Sequence, residues 1–89
     1  MKEVGRILRE TASYTPEKIE EILQAEDLGL DQRTMREVEN LAKDISEDRR
    51  YCRLLGVNYN NLTGNDLKRI RVTALYLDRK YPSRVLPPL

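Results

Sequence analysis

The sequence contains no histidine, no tryptophan and no phenylalanine, and each absence narrows what the protein can do. Histidine is the commonest general base, proton shuttle and metal ligand near neutral pH, so its absence argues against most catalytic and metal sites. A chain of 89 residues whose only aromatic side chains are five tyrosines can bury just a small core. We therefore expect a single domain that is not an enzyme and takes no metal ion, cofactor or small-molecule substrate.

Cysteine and long apolar runs are also scarce. Cys52 is the single cysteine, so the chain cannot form a disulfide within itself. It falls on the apolar stripe of a predicted helix with no histidine partner, which indicates a buried packing residue and not a reactive nucleophile. Charges interrupt every stretch before it reaches the roughly 18 to 20 apolar residues of a membrane span, and the N-terminus lacks the apolar segment of a signal peptide. These features predict a soluble cytoplasmic protein without membrane contact.

Motifs for nucleotide binding or paired carboxylate chemistry are missing as well. Gly56 and Gly64 bracket a predicted loop, but neither belongs to a Gly-x-x-x-x-Gly-Lys or Gly-x-Gly-x-x-Gly motif. Glu17, Glu20 and Glu21 lie together on a predicted helix without a second acidic cluster at a defined spacing. Their arrangement is therefore typical of a solvated helix face.

Apolar residues do recur at helical spacing, and this predicts an all-α fold. The first helix spans residues 2 to about 12. Thr15 and Pro16 are typical N-cap and first-turn residues for a second helix. We expect that helix to end near Leu28, with Gly29 in the left-handed conformation that closes many helices.

The third helix has the clearest apolar stripe, and Asp31 is its predicted N-cap. The stripe consists of Met35, Val38, Leu41, Ala42 and Ile45. It continues in register through Cys52 and Leu55 to Gly56. Two alternatives are therefore open: one helix over residues 32–55, or two helices with a break near residues 46–48.

The last helix is predicted to begin at a cap on Thr63 or Asn65, to end at Pro82 and to be the most buried. Its stripe consists of Leu67, Ile70, Ala74, Leu77 and Tyr81, widened by Val72, Leu75 and Tyr76. We predict a compact bundle of four to five helices over residues 1–82, with the third and last helices at its centre, followed by an extended, Pro-rich apolar tail over residues 83–89.

The net charge of +1 conceals a division of charge along the chain. Residues 1–48 carry 7 Lys and Arg against 13 Asp and Glu, a net of −6, whereas residues 49–89 carry 9 against 2, a net of +7. The basic half also contains an Asn-rich loop with one tyrosine. Arginine and lysine neutralise phosphates, asparagine amides bond phosphates or base edges, and an exposed tyrosine stacks on unpaired bases.

A non-enzymatic protein that binds DNA or RNA through residues 49–80 is the first functional hypothesis. Its predicted nucleic-acid-binding residues are Arg49, Arg50, Arg53, Asn58, Tyr59, Asn60, Asn61, Lys68, Arg69, Arg71, Arg79 and Lys80. A competing interpretation carries equal weight: the basic helices balance the acidic half, either within one fold or between copies packed head to tail.

The alternative function is a helical accessory, adaptor or inhibitor subunit that docks onto a larger protein. It would use the acidic first half, the apolar tail or both, since an apolar tail preordered by proline can occupy a groove of a partner. The predicted partner-binding residues are Glu17, Glu20, Glu21, Val85, Leu86 and Leu89. The simpler interpretation of the tail is that it folds back on its own core or belongs to a linker.

A helix-turn-helix over residues 49–62 is a weak match. Cys52, Gly56, Val57 and Leu62 fall at positions where that motif has a small residue, a turn glycine and two core residues. Gly64, however, would then lie inside the recognition helix, where glycine costs about 1 kcal/mol relative to alanine. The conflict argues against the motif.

Overall fold

Five helices make up most of the part of the chain that the structure describes. The computed structural model describes residues 2–27, 29–81 and 85–89, and no strand occurs among them. The helices are α1 (Lys2–Ser13), α2 (Pro16–Asp27), α3 (Gln32–Ser46), α4 (Arg49–Leu55) and α5 (Gly64–Lys80). The predicted all-α bundle is confirmed. Within these residues, no helix combines the length and the hydrophobicity that crossing a membrane requires.

Short polar side chains fix where three of the helices begin. Thr15 and Asp31 each accept a hydrogen bond from the backbone amide three residues further on, at 3.1 and 2.7 Å. The amide that Asp31 accepts belongs to Thr34, and this bond holds the pKa of the Asp31 carboxyl below its usual value. Thr63 caps α5 in a reciprocal capping box with Asp66. All three caps agree with the sequence analysis.

The apolar stripe over residues 32–55 is divided between two helices. α3 ends at Ser46, and the carboxylate of Asp48 then accepts hydrogen bonds from the amides of Arg50 and Tyr51, at 2.9 and 3.1 Å. Gly56 closes α4 in the left-handed region at φ 74°. Because Asp48 caps a new helix, the two-helix alternative is correct.

The predicted closure of α2 is wrong in its conformation. Gly29 follows the end of α2, but among the described residues only Gly56 has a positive φ. The amide of Gly29 instead donates to the carbonyl oxygen of Glu26 at 3.0 Å, three residues back. Gly29 therefore does not close α2 in the left-handed conformation.

Leu67 also departs from its predicted place on the buried stripe of α5. Its side chain is 50% exposed, whereas Ile70 and the apolar residues that follow it, as far as Leu77, are buried except for Tyr76. Leu67 lies in the second turn of α5, before the buried part of the helix begins. Its position on the stripe therefore does not bring it into the core.

The long helix α5 lies at the centre of the bundle. It packs against α1, α2 and α3, and its contact with α3 is the most extensive between any two helices. The short helix α4 packs against α1 and α3. Leu8, Leu41, Ile45 and Leu77 are among the fully buried side chains where these helices meet. The predicted central pair of helices is thus confirmed.

Two buried threonines connect α1 to α5. The hydroxyl of Thr73 lies 2.9 Å from the hydroxyl of Thr11 and 2.9 Å from the carbonyl oxygen of Arg69. The Thr11 hydroxyl is also 3.1 Å from the carbonyl oxygen of Ile7. Since both hydroxyls have partners, neither carries the penalty of a buried unsatisfied polar group.

The described part of the tail, residues 85–89, has no regular secondary structure. Leu86 and Leu89 are half-buried against the core, whereas Val85 is 68% exposed. The buried hydroxyl of Tyr51 in α4 donates a hydrogen bond to the carbonyl oxygen of Pro87. Most of this segment therefore folds back onto its own domain.

Five residues of the chain lie outside the described residues, and three predictions concern them. These residues are Met1, Leu28, Pro82, Ser83 and Arg84. The predicted end of α2 near Leu28, the stop at Pro82 and the start of the tail at Ser83 all fall in this set. The last described residue of α5 is Lys80, and Tyr81 follows as its C-cap.

Helices α4 and α5 do not form a helix-turn-helix. Residues 56–63 join them, which is twice the length of the three- or four-residue turn of that motif. Gly64 is the first residue of α5, so the glycine that conflicted with a recognition helix lies at a helix start. The predicted conflict between Gly64 and a recognition helix therefore does not arise, because α5 begins at Gly64.

Candidate nucleic-acid interface

Most basic residues of α5 are paired with the acidic first half of the chain. Three ion pairs connect α5 to α1 and α2: Lys68 with Glu20 at 2.8 Å, Lys80 with Glu3 at 3.6 Å, and Arg79 with Glu26. The side chains are a quarter to half exposed, so each pair contributes about 0 to 1 kcal/mol to stability. Their effect on surface charge is larger, because three of the predicted phosphate-binding cations already face carboxylates.

Arg69 of α5 holds the end of α1. Its Nη1 atom donates to the carbonyl oxygens of Thr11 at 2.6 Å, Ala12 at 3.2 Å and Tyr14 at 2.7 Å. The last carbonyls of a helix have no partner within it and form its negative end, which a cation stabilises. The guanidinium of Arg69 is thus occupied by the fold. Arg71 is half-buried on the same helix and also interacts within the protein.

The arginines of α4 differ from those of α5. Arg49, Arg50 and Arg53, which we call the arginine face, are all exposed, while Tyr51 and Cys52 of the same helix are buried. Among the described residues, none of the three arginines has an ion pair with a carboxylate. Three guanidinium groups therefore face solvent within two turns of helix.

Tight packing of α4 fixes the direction of the arginine face. Tyr51, Cys52 and Leu55 are at most 2% exposed and hold the opposite side of the helix against α1 and α3. The Cys52 sulfur lies 3.4 Å from the carbonyl oxygen of Ile45. Burial, followed by the charges of Asp48 and Asp66, raises the pKa of the Cys52 thiol. Its predicted role as a core residue is confirmed.

The loop after α4 extends this surface. The Asn58 side chain accepts a hydrogen bond from the amide of Asn60 at 3.0 Å, so it shapes the loop itself. The amide side chains of Asn60 and Asn61 are exposed. The guanidinium carbon of Arg49 lies 5.1 Å from the ring centroid of Tyr59, within the range of a cation–π contact. This contact joins the loop to the arginine face.

Tyr59 is less available for base stacking than its place in a polar loop predicts. Its ring is half-buried and packs against the core, and Arg49 lies over the ring. A base could stack on this ring only by displacing the arginine. The geometry thus favours a structural role for the tyrosine.

Leu54 is an exposed neighbour of the arginine face that is absent from the predicted binding residues. It is 40% exposed and sits one turn from Arg50 and beside Arg53 on the solvent side of α4. The buried positions 51, 52 and 55 set the orientation of the helix. Position 54 does not share the face of those three positions. The exposure of Leu54 therefore follows from the sequence if α4 is a separate helix.

The predicted partner-binding residues are dispersed. Glu17 and Glu21 are exposed on α2, whereas Glu20 pairs with Lys68 of α5. Helix α2 packs on α5, away from the surface of α4. The tail residues Leu86 and Leu89 pack on their own core. The structure does not assemble the acidic residues and the tail into one surface.

A separate cleft lies on the exposed side of α3. Its volume is about 470 Å³, and its described lining consists of Gln32, Arg33, Arg36, Glu37 and Asn40. Arg33 pairs with Glu37 across one turn at 3.5 Å and is itself largely exposed. Open surface clefts of this kind lack the apolar enclosure of a small-molecule site. Within the described residues, no three Asp, Glu or Cys side chains are placed to hold a metal ion.

Comparison of the chain with known protein families, with curated protein sequences and with solved structures finds no match.

Proposed function

We propose that this protein binds nucleic acid without catalysis, using the arginine face of α4 and the exposed amides of Asn60 and Asn61. The observation that carries the proposal is that no carboxylate of the described residues forms an ion pair with the arginine face, in contrast to the paired cations of α5. Residues 49–65 contain three arginines and no aspartate or glutamate, a local net charge of +3. The cytoplasm, where DNA or RNA is available, is the location that the proposal implies.

Unpaired arginines on a rigid helix suit phosphate for two reasons. A guanidinium group donates two parallel hydrogen bonds to one phosphate and keeps its charge at every physiological pH. The opposite face of α4 is packed in the core, so the backbone that carries the arginine face does not need to be ordered on binding. The exposed loop amides add hydrogen bonds that carry no charge.

The test is a titration of labelled DNA and RNA, monitored by fluorescence anisotropy, with the Arg50→Ala/Arg53→Ala variant beside the unaltered chain. A protein that neutralises three phosphates should lose roughly 40-fold in affinity between about 50 and 200 mM salt. We expect the double variant to bind several-fold more weakly at low salt. Far-UV circular dichroism should show that it is folded, because both side chains are exposed.

A matched control comes from α1, where Arg6 and Arg9 are also exposed and three residues apart. Glu3 and Glu10 are exposed on the same helix, so its local charge is balanced. The Arg6→Ala/Arg9→Ala variant removes the same two charges from the protein, yet should retain most of the affinity. Equal losses in both variants would mean that overall charge, and not the arginine face, determines binding.

Leu54 favours a second candidate, the helical accessory subunit. Protein interfaces are enriched in arginine around buried apolar anchors, and an exposed leucine beside two arginines matches that composition. In this case the Leu54→Ser variant should lose a co-purifying protein partner. Under the nucleic-acid proposal the same variant should keep its affinity for phosphates, so one substitution separates the two functions.

A further inference from the structure

We infer that the nucleic acid is double-stranded and is held through its phosphates without base stacking. This inference rests on the proposed function, since it specifies which ligand the arginine face takes. It follows from the positions of the aromatic rings near that surface and from the rigidity of α4.

Aromatic rings are poorly placed for stacking. Proteins that bind single strands without sequence preference rely on exposed aromatic side chains on which successive bases stack. The segment from Arg49 to Asn65 contains two aromatic residues, Tyr51 and Tyr59. Tyr51 is 2% exposed, and the ring of Tyr59 packs on the core beneath Arg49.

The remaining three tyrosines do not supply a platform either. Tyr14 and Tyr76 pack edge to face with their ring centroids 6.4 Å apart, and Lys18 lies 6.0 Å from the Tyr14 ring. The hydroxyl of Tyr81 lies 3.3 Å from a carboxylate oxygen of Glu3. With no tryptophan or phenylalanine in the chain, every aromatic ring is accounted for.

Helix α4 fixes where the arginine side chains begin, while the exposed side chains themselves keep their rotamer freedom. Arg50 and Arg53 are three residues apart on one helix, a rise of about 4.5 Å. That helix is capped at both ends by Asp48 and Gly56 and is buried along its other side. A duplex presents phosphates at fixed spacing, with one charge per roughly 1.7 Å of its axis when both strands are counted. The α4 backbone and a duplex can therefore meet without either backbone being ordered on binding.

A single strand would bind less favourably at this surface. Its backbone is flexible, so fixing several phosphates against the arginine face costs conformational entropy. Stacking normally offsets that cost, and the surface provides no free ring for it. The duplex is therefore the ligand that fits arginines carried on a rigid helix.

The experiment compares one sequence as duplex DNA and as single-stranded DNA, both titrated with the full chain at about 50 and 200 mM salt. We expect the duplex to bind about tenfold more tightly at low salt. For three neutralised phosphates, the slope of log affinity against log salt should be about −2.7 for the duplex. The Arg50→Ala/Arg53→Ala variant should reduce that slope towards about −0.9.

Each outcome has a distinct meaning. Equal or tighter binding of the single strand would overturn the duplex inference while leaving nucleic-acid binding intact. No binding of either form at low salt would overturn the proposed function, and the inference with it. A duplex affinity and salt slope that are unchanged in the double variant would place the duplex site away from the arginine face and would also contradict the inference.

Discussion

Replacing Arg69 by alanine removes the hydrogen-bond donor that holds the end of α1. The expected loss of stability follows from the number of hydrogen bonds that Arg69 makes. Nη1 lies within hydrogen-bond distance of the carbonyl oxygens of Thr11, Ala12 and Tyr14, and its two protons can serve two of them at once. A hydrogen bond to a charged group contributes about 1.5 to 3 kcal/mol. We therefore expect Arg69→Ala to reduce the free energy of unfolding by about 3 kcal/mol, allowing for partial exposure.

The assay is equilibrium unfolding in urea, followed by far-UV circular dichroism, with thermal unfolding in parallel. For a domain of this size, about 3 kcal/mol corresponds to a decrease of roughly 12 to 24 °C in Tm. Arg79→Ala is the matched control, because it breaks an exposed ion pair with Glu26 and should cost no more than about 1 kcal/mol. If both variants lose the same stability, Arg69 does not anchor α1 and its exclusion from the binding surface is unjustified.

Two further predictions concern α4. Gly56→Ala places a Cβ atom on a residue at φ 74°, so it should reduce the free energy of unfolding in urea by about 1 to 2 kcal/mol. An unchanged urea midpoint would show that this left-handed cap is dispensable. Burial raises the pKa of Tyr51 to about 12. Between about pH 10 and 12 the unfolded chain therefore releases a proton that the native protein keeps. The free energy of unfolding falls as the pH rises through this range. Tyr51→Phe should weaken that fall in unfolding measured near pH 9 and near pH 11, and identical pH dependence in both proteins would contradict the burial of this hydroxyl.

Local signals in the sequence were sufficient to predict most of the helices. The caps at Thr15, Asp31 and Thr63 involve residues three positions apart, so they can be predicted from the sequence without knowledge of the fold. The division between α3 and α4 was not decidable in the same way. One long helix and two shorter ones bury the same stripe through Cys52 and Leu55, and only the turn at Asp48 distinguishes them.

The candidate site could be predicted only in part, because charge pairing depends on the tertiary fold. Glu20 and Lys68 are 48 residues apart, and Arg69 meets Thr11 across 58 residues. No periodicity reveals such contacts. The sequence therefore identifies a basic half, whereas the structure divides it into cations used by the fold and the arginine face of α4.

The same reasoning applies to the tail. The apolar character of Leu86 and Leu89 fits two interpretations equally well: a tail that docks onto a partner, and a tail that folds back onto its own domain. The hydrogen bond from Tyr51 to the Pro87 carbonyl spans 36 residues and joins the tail to α4. Only the fold shows that Leu86 and Leu89 pack against the core of their own domain.

The most direct test of the central claim is the salt dependence of duplex binding, measured for the unaltered chain, for Arg50→Ala/Arg53→Ala and for Arg6→Ala/Arg9→Ala. The slope of log affinity against log salt should be about −2.7 for the unaltered chain and the α1 variant, and about −0.9 for the α4 variant. Equal slopes in all three proteins would contradict the claim that α4 contacts the phosphates.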